Sequence, residues 1–169
     1  MTARRHRGCR APQPENGDIP LASARLDRSE RDCLALARRF FQLLANPDAD
    51  DRQNAIERVA GSFGADHGLA VAWAMSDLLR EIRQSRRSTF YFSNPDCPGC
   101  ARLITEHERR LVAALAALRR GRRSAAHVEV MLLCEGNPDE TVLDGLARLA
   151  DLLPPPDRHK RKTRAWTGH

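Results

Sequence analysis

Apolar side chains recur at helical spacing along most of this chain, a pattern that predicts a series of amphipathic helices. The first predicted helix covers 27–45, where Cys33 and Phe40 belong to one apolar face. Asp27 and Glu30 stand three residues apart at its start. These are the positions of a capping box, in which each side chain accepts a backbone N–H at the helix N-terminus. The pair therefore predicts where the first helix begins.

Five further segments carry helical spacing, namely 50–61, 65–86, 100–120, 125–135 and 139–153. The segment 65–86 is apolar nearly all round in its first half, which predicts a central place in the core. The segment 125–135 also fits a strand, but we predict a helix there. Only 89–92, Thr-Phe-Tyr-Phe, has the composition of a short strand. Glycine and proline separate these segments, as they do between packed elements.

These elements predict an all-α fold, a single-domain bundle of five or six helices. We expect a flexible basic arm over 1–25, the helical domain over 26–153, and a Pro-led basic tail over 154–169. Aromatic residues make up only 5% of the 169 residues, which favours helices packed through Ala and Leu over a sheet. No apolar run approaches the roughly 18 residues of a membrane span. No apolar stretch follows the N-terminal arginines, so we expect a cytoplasmic protein without a membrane partner.

The five cysteines include one close pair, in the sequence Cys97-Pro-Gly-Cys100. Two thiols at this spacing can share a metal ion or close into a disulfide, and they can also be ordinary turn residues. We predict that they lie at the start of the long helix and form a structural or sensing site. Zinc is the cofactor that this site would take, with His107 and Cys134 as further ligands. A simple hairpin, however, places Cys134 beside His107 and short of Cys100.

The stretch from Phe90 to Cys100 resembles one short part of the glutaredoxins. Phe90-Tyr-Phe-Ser-Asn-Pro-Asp-Cys-Pro-Gly-Cys looks like that family's strand, turn and CPxC helix start. The resemblance implies a thiol-disulfide redox function, with Cys97 as the nucleophile and Cys100 as the resolving thiol. The quoted stretch is 11 of the 169 residues. The helical first half differs from the family's opening βαβ unit, so our fold prediction stays all-α.

Arginines form several clusters in a chain whose net charge is +6. The cluster at 119–123 follows a helix end, and together with the pair at 86–87 it predicts contacts to nucleic-acid phosphates. The predicted contact residues are Arg86, Arg87, Arg119, Arg120, Arg122 and Arg123. The alternative is a set of solvated charges that aid solubility. A helix-turn-helix over 56–73 is a further alternative, but its second helix is too apolar for a recognition helix.

No phosphate-binding glycine loop or hydrolase motif occurs in the sequence, so an enzyme is the weaker prediction. Glu106, Glu108, Arg109 and Arg110 have the pattern of a solvated helix face. The leading hypothesis is a small regulatory or adaptor protein that contacts nucleic acid, or a nucleic-acid-bound machine, through its arginines. A redox protein using Cys97 and Cys100 is one alternative. A protein-interaction module without any site is the other, and a protein partner fits either non-enzymatic hypothesis.

Overall fold

The computed structural model describes residues 2–4, 17–45, 52–137 and 140–156. Six α-helices account for most of these residues, and this confirms the predicted all-α bundle. The helices are α1 (Arg28–Ala45), α2 (Arg52–Ala60), α3 (Ala65–Ser85), α4 (Glu106–Arg119), α5 (Arg123–Leu133) and α6 (Glu140–Asp151). The strands are β1 (Thr2–Arg4), β2 (Ile19–Pro20), β3 (Tyr91–Ser93) and β4 (Leu103–Ile104).

The core lies where α3 packs against α1 and α6, with α4 closing one side. Its largest side chains are fully buried, among them Phe41 of α1, Leu78 of α3 and Leu115 of α4. Burial of each such side chain stabilises the fold by about 1.5–3 kcal/mol. The predicted central role of α3 is borne out by Val71, Met75 and the buried residues that follow them at helical spacing. None of the described helices is long and apolar enough to cross a membrane.

The start of α1 follows the predicted capping box. The Glu30 backbone N–H donates to the Asp27 carboxylate at 2.9 Å, and the Asp27 N–H donates to the Glu30 carboxylate at 2.9 Å. Burial alone would raise the pKa of Asp27, but the Glu30 N–H and the Arg119 guanidinium outweigh it and lower the pKa below its ordinary value. Two orphan amides of the helix end are therefore satisfied, and a carboxylate stays charged beneath the protein surface.

The long fourth helix is shorter than predicted, because it begins at Glu106 and not at Cys100. Residues 100–102 form a 3₁₀ turn, and β4 follows it. Thr105 is the true N-cap, and it forms a capping box with Glu108. The predicted stripe continued back through Leu103 and Ile104, but both of these are buried in β4. The helix predicted over 125–135 is confirmed as α5, and it returns along α4 after a turn at Gly121.

The described parts of the N-terminal arm have more structure than the sequence predicted. β1 runs parallel to β3 in the register Thr2 to Tyr91 and Arg4 to Ser93. β2 pairs antiparallel with β4. In the chain, β3 ends before the segment that carries Cys97 and Cys100, and β4 begins after it. The rest of the predicted arm and most of the basic tail lie outside the described residues.

Candidate thiol site

Cys97 and Cys100 lie in the loop that leaves β3 and enters β4, which we call the CxxC loop (residues 94–102). Both side chains are buried, with 7% of Cys97 and 2% of Cys100 exposed. The backbone N–H of Cys100 points at the Cys97 sulfur, with an N to Sγ distance of 3.3 Å. Such a donor interacts more strongly with a charged sulfur than with a neutral thiol. The loop thus places the Cys100 backbone amide beside the Cys97 sulfur.

The first half of the CxxC loop is held by α1. The Gln42 amide donates to Asn94 Oδ1 at 3.0 Å and to Asp96 Oδ2 at 2.7 Å. Arg39 Nη1 donates to Asp96 Oδ1 at 2.5 Å, and Asn94 Oδ1 accepts the backbone N–H of Asp96 at 3.0 Å. Polar side chains one turn apart on α1 therefore fix the turn that precedes Cys97. The sequence reading did not identify this role for Arg39 or Gln42.

A buried ion pair lies behind the loop, between Arg38 of α1 and Glu108 of α4. Arg38 Nε donates to Glu108 Oε1 at 2.7 Å and Nη2 donates to Oε2 at 3.0 Å, which is a bidentate arrangement. The Glu108 side chain is fully buried and that of Arg38 is 5% exposed. The prediction that Glu108 belongs to a solvated helix face is therefore wrong. Its partner lies 70 positions away in the sequence, where no local pattern reveals it.

This ion pair fastens both ends of the CxxC loop. Glu108 accepts the backbone N–H of Ser93 at 3.1 Å, just before the loop, and that of Thr105 at 2.9 Å, just after it. Arg38 donates to the carbonyls of Ala101 at 3.0 Å and Leu103 at 2.6 Å. A buried charge is tolerated only when its hydrogen-bonding capacity is filled, and here the backbone of the loop fills it. We call this set of contacts the Arg38–Glu108 clamp.

The two other predicted metal ligands have contacts with residues outside the CxxC loop. His107 is in the first turn of α4, where Nδ1 accepts the Tyr91 N–H at 3.0 Å and Nε2 faces Arg86 Nη2 at 3.3 Å. Cys134 is fully buried at the end of α5 and accepts a hydrogen bond from Ser85 Oγ at 3.2 Å. Across the described ranges, no group of three His, Cys, Asp or Glu side chains is placed to hold a metal ion. The structure therefore does not assemble the four predicted ligands.

The pair Arg86 and Arg87 divides into a buried and an exposed residue. Arg86 has a side chain only 3% exposed, which forms an ion pair with Glu135 at 3.0 Å and donates to the Leu133 carbonyl. Burial lowers the pKa of Arg86, although Glu135 opposes this effect. The Arg87 side chain is exposed, while its backbone N–H donates to Glu135. Arg86 thus joins α3 to the end of α5, and only Arg87 faces solvent.

The cluster at 119–123 divides in the same way. The Arg119 side chain is 2% exposed and binds Asp27 at 2.7 Å, Glu30 at 2.9 Å and the Pro154 carbonyl at 2.8 Å. Arg120 binds Glu30 at 2.5 Å. Arg122 and Arg123 are exposed at the start of α5. Since α5 has 11 residues, they lie roughly 16 Å from its other end, where Arg87 is found.

An apolar groove of about 440 Å³ lies between α1, α2 and α3. Its rim carries Trp73 and Leu69, whose side chains are 65% and 67% exposed. Phe40, Leu43 and Ile56 form part of its floor. This groove offers apolar contacts, and none of its lining residues belongs to the CxxC loop.

Comparison of the chain with models of known families, with characterised proteins and with solved structures found no match. The local resemblance to glutaredoxins can be judged on the geometry alone. β3 does lead into Cys97, as a strand does in that family, but no α-helix starts at Cys100. β3 belongs to a two-stranded pair among the described residues. The function is therefore inferred from the site itself.

One signal in the sequence would have located α4 and its buried carboxylate correctly. Thr105-Glu-His-Glu108 has the S/T-x-x-E spacing of a capping box. The structure shows both bonds of that box, Glu108 N–H to Thr105 Oγ1 at 3.2 Å and Thr105 N–H to Glu108 at 2.9 Å. A glutamate in that position has its carboxylate directed back at the helix start and not out into water. The box therefore points to the residue that forms half of the clamp.

Proposed function

We propose that this protein is a small regulatory or adaptor protein in which Cys97 and Cys100 form a structural or sensing site for a thiophilic metal ion. The observation that carries the proposal is the CxxC loop, held at both ends by the Arg38–Glu108 clamp. Cysteines that were only turn residues would not need to be buried in a loop fixed by this many polar contacts. Zinc is the metal we expect, because paired thiolates at this spacing suit it.

The redox alternative is less well supported than the metal site, because the two thiols are poorly accessible to a substrate. A thiol that attacks a disulfide must reach the sulfur of its substrate. Cys97, the expected nucleophile, is only 7% exposed, and Cys100 is 2% exposed. A buried pair with a backbone N–H directed at one sulfur is better suited to holding a ligand than to exchange with a protein substrate.

Metal analysis of the purified full-length chain tests the proposal. The protein is produced in medium with added zinc, dialysed, and analysed by mass spectrometry for bound metals. We expect about one zinc per chain in the wild type, a Cys97→Ser variant with little zinc, and a Cys33→Ser variant with the wild-type amount. Cys33 is the matched control because it lies on α1 and is buried in the hydrophobic core. Absence of bound metal from folded wild-type protein would refute the proposal.

A second candidate function is contact with nucleic acid, and one observation favours it: Arg87, Arg122 and Arg123 face solvent in a chain of net charge +6. Arg86 and Arg119 form buried ion pairs instead, so we propose phosphate contacts through the exposed arginines only. Each phosphate contact adds about 0.9 to the slope of log K against log salt concentration.

A salt series with labelled RNA and duplex DNA tests this second candidate. An Arg122→Ala/Arg123→Ala variant should bind more weakly at low salt and show a slope reduced by about 2. The matched control is Arg28→Ala/Arg80→Ala, which removes the same charge at exposed positions of other helices. Equal loss in both variants would indicate a general charge effect, and no binding by the wild type at low salt would end the proposal.

A further inference from the structure

Two large apolar side chains on the rim of the groove between α1, α2 and α3 are exposed to water. Leu69 and Trp73 lie about one turn apart on α3, and they are 67% and 65% exposed. Single exposed apolar residues are common, but these two border a concave surface that also includes the half-buried Phe40 and Leu43. Apolar and aromatic side chains of this kind predominate in the walls of small-molecule sites.

The size of the groove also fits a small molecule. Its volume of about 440 Å³ lies within the range of about 300–1,000 Å³ that is usual for ligand pockets. Gly61 and Gly64 line one part of it. A Cβ added at either position would meet no atom within 4 Å, so the space beside these two residues is open. A ligand therefore has access to the apolar walls.

Glu57 of α2 determines the charge that a ligand should carry. Among the described residues that line the groove, it is the only one with a charged side chain. Its carboxylate forms no hydrogen bond or ion pair with any residue in the described part of the chain, whereas Glu30 and Glu108 both have arginine partners. A neutral molecule that covered Glu57 would remove water from an unpaired carboxylate, which is unfavourable. A cationic ligand would instead supply the missing partner.

The exposed indole of Trp73 favours the same sign of charge. The face of an indole ring attracts cations more strongly than that of any other aromatic side chain, and quaternary ammonium groups are recognised in this way. Trp73 and Glu57 line the same groove from two different helices. The groove thus provides an aromatic ring and a carboxylate for a cationic group, together with apolar walls for the rest of the molecule.

We propose that this groove binds a small lipophilic cation, an organic molecule with an apolar body and one ammonium group. The apolar body would lie against Leu69 and the floor of the groove, and the ammonium group would be held by Glu57 and Trp73. A second copy of the chain fits the groove less well, because two molecules of net charge +6 repel each other. The proposal is independent of the thiol site, since the lining residues include none from the CxxC loop.

Fluorescence of Trp73 reports on binding directly. The full chain carries Trp166→Phe, so that Trp73 is its only tryptophan. Three probes share an octyl chain and differ in the head group, namely octyltrimethylammonium, octanol and octyl sulfate, each used below the concentration at which it forms micelles. We expect the ammonium probe to bind about fivefold more tightly than octanol, because it gains the contacts with the ring and the carboxylate. Octyl sulfate should bind most weakly.

Two variants separate the charge of the groove from its apolar walls. Glu57→Gln should reduce the preference for octyltrimethylammonium over octanol to about twofold or less, since only the indole remains to attract the cation. Leu69→Ser should weaken the binding of both probes roughly tenfold, because part of the apolar wall is lost. The matched control is Glu140→Gln, which removes the same charge at a 65% exposed side chain of α6, away from the lining residues. It should bind all three probes like the parent chain.

The outcomes that would overturn the proposal are distinct. Equal affinity of the parent chain for octyltrimethylammonium and octanol, or the same loss of preference in Glu140→Gln as in Glu57→Gln, would show that the groove does not select a cation. No change in Trp73 fluorescence with any probe would exclude a small-molecule site. A fluorescence shift that follows protein concentration without any probe would assign the groove to a second copy instead. Circular dichroism of each variant shows that lost binding does not reflect an unfolded chain.

Discussion

Replacement of Glu108 by glutamine is the sharpest test of the clamp that holds the CxxC loop. The glutamine has nearly the same shape, but it leaves the Arg38 guanidinium without a countercharge at a site where 5% of that side chain is exposed. Glu108 accepts four hydrogen bonds, two from Arg38 and one each from the Ser93 and Thr105 amides. The new NH₂ group would face donors where a carboxylate oxygen now accepts.

The magnitude follows from the burial of both partners. Removal of one partner of a buried ion pair costs about 3–5 kcal/mol, because the other charge remains buried and uncompensated. Domains of this kind have a total unfolding free energy of roughly 5–15 kcal/mol. At about 2–4 °C per kcal/mol for a chain of this size, the melting temperature should fall by on the order of 10 °C.

Urea unfolding followed by far-ultraviolet circular dichroism measures this loss, since most of the described fold is helical. Glu106→Gln is the matched control on the neighbouring residue of α4, where the side chain is 51% exposed and forms only surface ion pairs. It should change the unfolding free energy by less than about 0.5 kcal/mol. In native Glu108→Gln protein, alkylation of Cys97 should also become faster, because the ends of the loop are released.

The double variant Arg38→Met/Glu108→Leu sharpens the test. Buried ion pairs can often be replaced by apolar residues at little cost. Here the backbone groups of Ser93, Ala101 and their neighbours would lose their partners, so the double variant should remain destabilised. A Glu108→Gln protein within about 1 kcal/mol of the wild type, or full recovery in the double variant, would refute the account of the clamp.

Three further predictions follow from single sites. Burial raises the pKa of Cys33 to about 12, so this thiol should resist alkylation at pH 8 until the chain unfolds, and labelling of the native protein at Cys33 would contradict this. Gly68→Ala should cost about 1–3 kcal/mol in urea, because the added Cβ would overlap the Ala60 carbonyl, whereas Gly61→Ala, with open space around it, should be nearly neutral. The pKa of Asp27 is lowered in the folded state, so its contribution is present above its ordinary pKa of 3.8 and is lost as pH falls through the lowered value. Asp27→Asn should therefore destabilise the protein at pH 7 and approach the wild type near pH 2, and an equal difference at both pH values would disprove the linkage.

The sequence was sufficient where a local pattern decides the structure. The capping box at Asp27 and Glu30, the central position of α3 and the helix at 125–135 are signals carried by neighbouring residues, and the structure confirms them. The predicted start of α4 was wrong because a two-residue strand such as β4 has no hydrophobic period of its own. Its buried Leu103 and Ile104 extend the helical stripe by coincidence of spacing.

Which arginines are buried in ion pairs could not be predicted from the sequence. Arg38 and Arg119 look like surface residues of amphipathic helices, and their carboxylate partners lie 70 to 92 positions away. Only the packed fold brings these charges together beneath the surface. The same holds for the predicted metal ligands, because the position of His107 relative to the CxxC loop depends on where α4 begins.

The long sequence separation within the clamp also has a consequence for the newly made chain. Arg38 and Glu108 meet only after the entropy of closing the 70-residue interval has been overcome. Before that moment the two sulfurs of the CxxC loop are accessible to oxidants and electrophiles in the cell. Protection of these thiols is thus a marker for completed folding. Brief pulses of a thiol reagent at successive times during refolding would show when the protection appears.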